Sequence, residues 1–297
     1  MFDFRLRVFD TVAKRGNFTK AASELNITQP AVTKHIKEIE RLLNTKLFDR
    51  NGTKIKLTVS GEILLKYTQK LFGVYRALEF EINQLNQQHK GTLRIGASTT
   101  IAQYVLPPLL AEFHKQYQDI KVILNIQNTE IVEQLLEHKK IDLGCIEGLT
   151  KNNSFHYKPF IRDEIVLVAR AHHPLVKKEY LKIEELLKVA LLKREPGSGT
   201  LETIAFALKP LGINLSDFQT EMQLGNTESM KSYLLHSDAM AFLSVHTILQ
   251  ELKNNTLSII DVKNLSIERH FYFIQPQGEQ SSIADLFLNF ANRYNFK

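Results

Sequence analysis

A single cysteine, Cys145, is all the sequence holds. One thiol cannot close an internal disulfide, so the chain neither needs nor reveals an oxidising compartment. No apolar run reaches the roughly 18–20 residues that span a bilayer. The opening Met1-Phe2-Asp3-Phe4-Arg5 lacks the basic start, apolar centre and small-residue cleavage site of a secretory signal. The expectation is a cytoplasmic protein with no membrane partner. Signatures of catalysis are missing as well, with no nucleophile elbow, phosphate-binding loop or dinucleotide fingerprint. His172-His173-Pro174 has no accompanying ligand spacing and reads as a surface loop. Cys145 lies in an apolar run, as a packing residue rather than a nucleophile. An enzyme is not expected, nor a cofactor or metal site.

What is present is globular material with its charge unevenly placed. A length of 297 residues suits two or three domains. The net charge is +6, yet residues 1–90 carry about +7 and the remainder about −1. A basic first quarter on a near-neutral body suggests a module that meets a polyanion, the plain alternative being a solvated basic surface.

Phe2, Leu6, Phe9 and Ala13 form a helical stripe that Gly16 stops. Thr19 can cap a short second helix holding Ala21, Ala22 and Leu25, small enough at 21 and 22 for close approach. After the turn at Asn26-Ile27-Thr28, Gln29-Pro30 opens a third helix, with Pro30 suited to its first turn. Val32, Ile36, Ile39 and Leu43 make one buried stripe there, and Gln29, Thr33, Lys34, Lys37 and Arg41 lie away from it. A short helix, a tight turn and a helix with a polar-basic outer face describe a helix-turn-helix. In the major groove, Gln pairs with adenine and Lys with guanine or phosphate. Leu47 to Leu57 reads as a hairpin with an Asn51-Gly52 turn, whose Arg50, Lys54 and Lys56 can grip flanking phosphates as a wing. An ordinary helical bundle with exposed lysines is the competing interpretation.

These residues carry a family resemblance. Gly16-Asn17-Phe18-Thr19-x-Ala21-Ala22-x-x-Leu25-x-x-x-Gln29-Pro30-Ala31-Val32-Thr33-x-x-Ile36-x-x-x-Glu40, then Leu47-Phe48-x-Arg50 and Leu57-Thr58-x-x-Gly61, resembles the LysR-type transcriptional regulators. The resemblance implies that Gln29, Pro30, Thr33, Lys34 and Arg50 lie at DNA. Thr28, Lys37 and Lys54 complete the expected contact set. Asn51-Gly52-Thr53-Lys54 stands where the family often carries further arginines.

Between Thr58 and Gln88 there is no proline, and Leu64, Leu71, Leu78 and Leu85 recur every seven residues. Thr68, Tyr75 and Ile82 fill the intervening positions, which is the spacing of a coiled-coil seam. Such a stripe points to dimerisation through Leu64, Leu71, Tyr75, Leu78, Ile82 and Leu85, with packing on the chain's own domain as the alternative. The family implies paired linker helices, a tetramer built as a dimer of dimers, and RNA polymerase as a further partner.

From Thr92 onward, strand and helix patterns alternate, giving an α/β domain with a largely parallel sheet. The fold class expected is mixed. It comprises an N-terminal winged helix-turn-helix (1–58), a long linker helix (59–90) and a C-terminal two-lobed α/β effector domain (91–297). By resemblance, that last domain is similar to type 2 periplasmic binding proteins. Lobe 1 would take approximately 91–162 and 266–297, and lobe 2 approximately 163–265. Ligands of such folds occupy the crevice beyond the strand carboxyl ends. Three segments place hydroxyls and helix N-termini there: Ser98-Thr99-Thr100, Thr129, and Ser198-Gly199-Thr200 with Arg194 nearby. They suggest a small-molecule effector that is an anion or carboxylate, although each segment alone reads as a plain helix cap. Ser237-Asp238 stands where the family commonly has glycines before the strand that follows. A solute-binding protein would fit the rear domain alone, and an architectural DNA protein the front; double-stranded DNA, an effector and further copies of the chain are the partners that fit both.

Overall fold

Side-chain caps set the limits of the first three helices. Asp3 accepts from the backbone N–H of Arg5 ahead of α1 (Phe4–Arg15), Asn17 from Lys20 ahead of α2 (Phe18–Leu25), and Thr28 from Ala31 ahead of α3 (Gln29–Leu43). Thr19, expected as the second cap, lies inside α2 because Asn17 supplies its carboxamide oxygen two residues earlier. Each helix ends at a residue in the left-handed region, Gly16, Asn26 or Asn44. The computed structural model describes residues 3–51, 54–85, 90–149, 151–278 and 281–296, with only the backbone at 50, 51, 54, 84 and 85. It divides into two compact units, Met1–Leu78 and Glu79–Lys297.

In the first unit, Val8, Phe9, Val12, Phe18, Val32, Ile36 and Phe48 close one core, with Ala21 and Ala22 buried between helices. Leu43 departs from its expected place: it is 50% exposed beside Leu42 at 56%. The α3 helix outruns the core by a turn, so the buried stripe ends at Ile39. Strands β1 (Phe48–Asn51) and β2 (Lys54–Leu57) pair antiparallel, Phe48 opposite Leu57. The expected Asn-Gly turn extends to residues 52–53, outside the described residues. Two hydrogen bonds tie this hairpin down. Glu40 on α3 accepts from the backbone of Leu47 at 2.9 Å, and Thr58 Oγ1 donates to the Lys46 carbonyl at 2.7 Å. Thr58 also accepts from the Gly61 N–H at 3.0 Å, starting α4 (Val59–Leu85).

With 27 residues, α4 rises about 40 Å. Leu64, the first position of the expected seam, packs with Leu65 against the first unit's core. Leu71, Leu78 and Ile82 are exposed and Tyr75 is half-buried, while the Leu85 side chain falls outside the described residues. Ile63, Tyr67 and Val74 are exposed beside them. The open apolar stripe is therefore displaced by one residue in its first half, because the core draws Leu64 inward. No described helix is long and apolar enough to cross a membrane.

The second unit carries β3 (Gly91–Ser98), α5 (Leu106–Gln116), β4 (Ile120–Gln127), α6 (Thr129–Glu137), β5 (Leu143–Glu147), β6 (Phe155–Arg170) and α7 (Ile183–Leu186). There follow β7 (Ala190–Lys193), α8 (Gly199–Leu208), β8 (Gln219–Gln223), α9 (Thr227–Leu234), β9 (Met240–Ser244), α10 (Val245–Lys253), β10 (Leu257–Ile260), β11 (Ile267–Pro276) and α11 (Ser282–Ala291). They form one sheet in the order β4-β3-β5-β11-β6-β9-β7-β8, with β10 also on β6. The sheet is mixed rather than largely parallel: β3 pairs parallel with β4 and β5, and β7 with β8 and β9, but every pairing of β6 and β11 is antiparallel. Alternation of strands and helices revealed the parallel pieces; β11, which has no helix before it, supplies the antiparallel seam. Two lobes result, one around Phe113, Phe273 and Phe287, the other around Leu167, Leu191 and Phe242. The long β6 and β11 run through both.

Gly61 is fixed by proximity. A Cβ there would lie 2.2 Å from the Leu47 carbonyl oxygen and 2.9 Å from the Leu57 side chain. Gly61→Ala is expected to cost the first unit about 1–3 kcal/mol through forced displacement of backbone. A melting temperature for that unit unchanged from wild type would remove this account of the glycine.

Candidate functional site

The outer face of α3 offers Gln29, Pro30, Lys34 and Lys37 to solvent, together with the capping Thr28. Thr33 is half-buried, and Gln29 Nε2 donates to its Oγ1 at 3.1 Å, which holds the carboxamide along the helix face. Arg41, one turn beyond Lys37, is drawn aside to Glu38 at 3.0 Å. Val32, Ile36 and Ile39 anchor the opposite face in the core, so the polar side cannot rotate inward. In the hairpin, Arg50 and Lys54 occupy facing strands next to the turn, Asn51 pairing with Lys54. Their side chains lie outside the described residues.

A second polar constellation lies where β3, β5, β6, β9 and β11 meet the start of α8. Ser98 Oγ donates to Glu147 Oε2. Thr200 Oγ1 donates to Glu147 Oε1 at 3.4 Å and accepts from Arg269 Nη1 at 2.9 Å. Arg269 Nε donates to Asp163 Oδ2 at 2.7 Å, and Ser244 Oγ to Asp163 Oδ1 at 2.6 Å. Glu147, Asp163 and Arg269 are at most 2% exposed. Arg269 Nη2 is buried without a hydrogen-bond partner. Such a donor costs free energy unless something accepts from it. Thr129 Oγ1 donates to the Glu147 carbonyl at 2.8 Å. Gly199 lies against the same carbonyl, where a Cβ would come within 1.9 Å, so only glycine lets α8 begin there.

Contacts cross between the lobes around this cluster. Arg194 donates to Thr99 Oγ1 at 3.0 Å, Asn128 Nδ2 to the Pro196 carbonyl at 3.2 Å, and the Glu130 N–H to the Gly197 carbonyl at 3.2 Å. On the far side Tyr104 donates its hydroxyl to Glu228, beside Lys231, whose ammonium stands 5.0 Å from the Tyr104 ring. Burial, reinforced by the Glu228 carboxylate, pushes the Tyr104 hydroxyl well above its ordinary pKa and keeps it a donor.

Residues 4–62 match the model of the bacterial regulatory helix-turn-helix protein, lysR family, and residues 86–295 match the LysR substrate binding domain. The chain belongs to the LysR family. As a LysR-family protein it is a transcriptional regulator, with a DNA-binding helix-turn-helix and an effector-binding domain, and not an enzyme. The HTH-type transcriptional regulator CysL of Bacillus subtilis (strain 168) is 32% identical over 95% of this chain and 94% of its own. The HTH-type transcriptional activator CmpR of Synechocystis sp. (strain ATCC 27184 / PCC 6803 / Kazusa) is 31% identical over 96% and 93%. Among solved structures, the Synechocystis PCC6803 CcmR regulatory domain in complex with 2-PG covers 67% of this chain and 95% of its own, at 29% identity and TM-score 0.62. Full-length CbnR complexed with its target DNA shares the fold over 99% of both chains, at TM-score 0.70 and 17% identity.

Within this LysR-type effector domain the three hydroxyl-bearing segments are brought together. Ser98, Thr129, Gly199 and Thr200 touch Glu147, and Thr99 meets Arg194; Thr100 is buried where a π-helical turn, Ile101–Val105, leads into α5. Ser198 caps α8. Arg194 is not an open cation, since Glu195 takes its guanidinium at 2.8 and 2.9 Å. Sequence reasoning missed Glu147, Asp163, Ser244 and Arg269. A signal existed for one of them: Ile267, Arg269, Phe271 and Phe273 alternate inward on β11, which places a charge where apolar residues belong. His173 is likewise not loop surface: it is buried, and its Nδ1 accepts from the Leu175 N–H at 3.2 Å to cap a short turn, while His172 is exposed. Cys145 is fully buried, and burial pushes its thiol up, away from the reactive thiolate.

Asp163→Ala would leave Arg269 buried with its closest carboxylate gone. A loss of about 3–5 kcal/mol is expected for removing one partner of such a pair. Chemical denaturation that shows less than about 1 kcal/mol would mean that water or Glu147 takes over the cation.

Proposed function

We propose that the exposed α3 face reads double-stranded DNA in the major groove, with Gln29 and Lys34 at base edges and Thr28, Pro30, Thr33 and Lys37 along the groove wall. Arg50 and Lys54 on the hairpin grip flanking phosphates, which supply sequence-independent affinity. The observation that supports this assignment is the division of α3 into an anchored apolar face and an open polar one. The exposed stripe of α4 pairs two chains, so that two reading heads meet two half-sites. Leu71, Leu78 and Ile82 serve the pairing as the heptad spacing suggests, with Ile63, Tyr67 and Val74 beside them and Tyr75 at the margin; Leu64 has its primary role in the core. Two such dimers form a tetramer that acts on RNA polymerase, in the cytoplasm where the DNA is.

The effector occupies the crevice between the lobes and is a small anion or carboxylate. Ser98, Thr99, Thr100, Thr129, Ser198, Gly199 and Thr200 surround it, Arg194 braces Thr99, and Arg269 Nη2 completes its hydrogen bonding on an oxygen of the ligand. That buried donor without an acceptor carries the reading. The CcmR regulatory domain, 29% identical, is in complex with an anion as well, 2-PG. Ligand binding biases the lobes by its differential affinity for their arrangements, and the altered dimers change how the DNA is held.

Two measurements test these assignments. On a DNA site selected in vitro, Gln29→Ala and Lys34→Ala should each lose about 1–3 kcal/mol of discrimination at one base. Specific binding undiminished in the double variant would remove α3 as the reading helix. For the crevice, the full-length protein is heated with a panel of small carboxylates and inorganic anions. A ligand at a hundred times its Kd should stabilise the wild type by about 2.7 kcal/mol. Thr100→Val/Thr200→Val should abolish that shift; a full shift in the double variant would place the ligand elsewhere.

A further inference from the structure

Glu147 stands where an incoming acid would be received. Its two oxygens accept from Ser98 and Thr200, and Oε1 lies 3.8 Å from Arg269 Nη1. Asp163 already holds the other side of the same guanidinium at 2.7 Å. Two buried carboxylates thus face one arginine, and Glu195 balances Arg194 nearby. The centre is not a cationic pocket with an empty place. It is a guanidinium with surplus negative charge around it and a single unused donor, Nη2. A bare anion drawn to that donor would meet the Glu147 carboxylate in dehydrated surroundings, where repulsion is poorly screened.

We propose that Glu147 sets the charge class of the effector. The crevice accepts an acceptor oxygen at Arg269 Nη2 only from a molecule that also presents a donor, an ammonium, amide or hydroxyl, to the Glu147 carboxylate. Amino acids and hydroxy acids meet this condition, and donor-free polyanions do not. The inference rests on the crevice being the effector site and narrows the acid that binds there. Glu147 is a specificity residue in this account: the fold holds its side chain with Ser98 and Thr200, and its negative charge decides which ligands enter.

The test uses full-length protein and two donor-free probes, sulfate and 2-PG, measured by calorimetry and thermal shift. Glu147→Gln keeps the shape and removes the charge. It is expected to bind both probes at least tenfold more tightly than wild type, and Glu147→Gln/Arg269→Gln should lose that gain. Equal or weaker binding by Glu147→Gln overturns the proposal, as does a gain that persists without Arg269. The two readings fail separately. If Thr100→Val/Thr200→Val abolishes the wild-type response to a carboxylate while Glu147→Gln gains nothing, the crevice stands and the charge filter falls. If those threonines do not matter, both fall. Should the Gln variant fail to fold, wild-type protein titrated with acetate and glycolate gives an independent answer. The hydroxy acid, with a hydroxyl donor for Glu147 and a carboxylate for Arg269, should bind more tightly than acetate; equal or tighter binding of acetate overturns the proposal.

Discussion

The ion pair between Asp163 and Arg269 is the constraint around which the effector domain is organised. These residues lie opposite one another on β6 and β11, the two strands that run from one lobe into the other. A guanidinium with no solvent exposure must be compensated from within, since its desolvation is large and only geometry close to ideal returns it. That requirement gathers Ser244 from the end of β9, Thr200 from the first turn of α8 and Glu147 from the end of β5. Each comes from a different element, so the pair fixes where the carboxyl ends of the strands converge. That convergence follows from this charge balance as much as from the α/β topology.

Close approach is the second requirement, and it is met differently in the two units. In the first, Gly61 lets the start of α4 rest on the Leu47 carbonyl, and Thr58 bonds to both sides of that junction. In the second, Gly199 brings α8 onto the Glu147 carbonyl, which delivers Thr200 to Arg269. Neither contact stores much energy. Each decides the position of a polar group whose pairing is worth considerably more when it is buried.

The features legible in the sequence were those with local causes. The stripe Val32-Ile36-Ile39 is set by helical period, Pro30 by its missing N–H, and the order of motif residues from Gly16 to Gly61 by the two glycines and the caps between them. The parallel strands showed through their alternation with helices. What did not show depends on distant partners. Leu43 looks like a core residue until the core proves a turn shorter than the helix, and Leu64 looks like a seam residue until its own domain claims it. Strand β11 pairs with β5 and β6, both more than a hundred residues earlier, and nothing adjacent in sequence announces it. Glu147 ends an apolar run and could equally have been the solvent-facing end of a strand. Its burial is decided by Ser98, 49 residues away, and Thr200, 53 residues away.

The same dependence on distant partners gives the domain its means of response in the proposed reading. Ser98, Thr129 and Glu147 belong to one lobe, and Thr200 and Arg194 to the other, so the polar cluster is shared between bodies with separate cores. A ligand that draws Thr200 away from Glu147 weakens a contact between lobes, and one that bridges Glu147 and Arg269 strengthens it. Because the groups are buried, each exchange of partner carries more free energy than it would in water, and a small molecule can move the balance between two arrangements. An exposed contact such as Asn128 with Pro196 can exchange its partner for water at little cost. The buried cluster cannot, because any group left without a partner is strongly penalised. In that reading the response resides in the cluster, and Arg269 Nη2, the one donor there that the protein itself leaves unpartnered among the described residues, is where a ligand would have most to contribute.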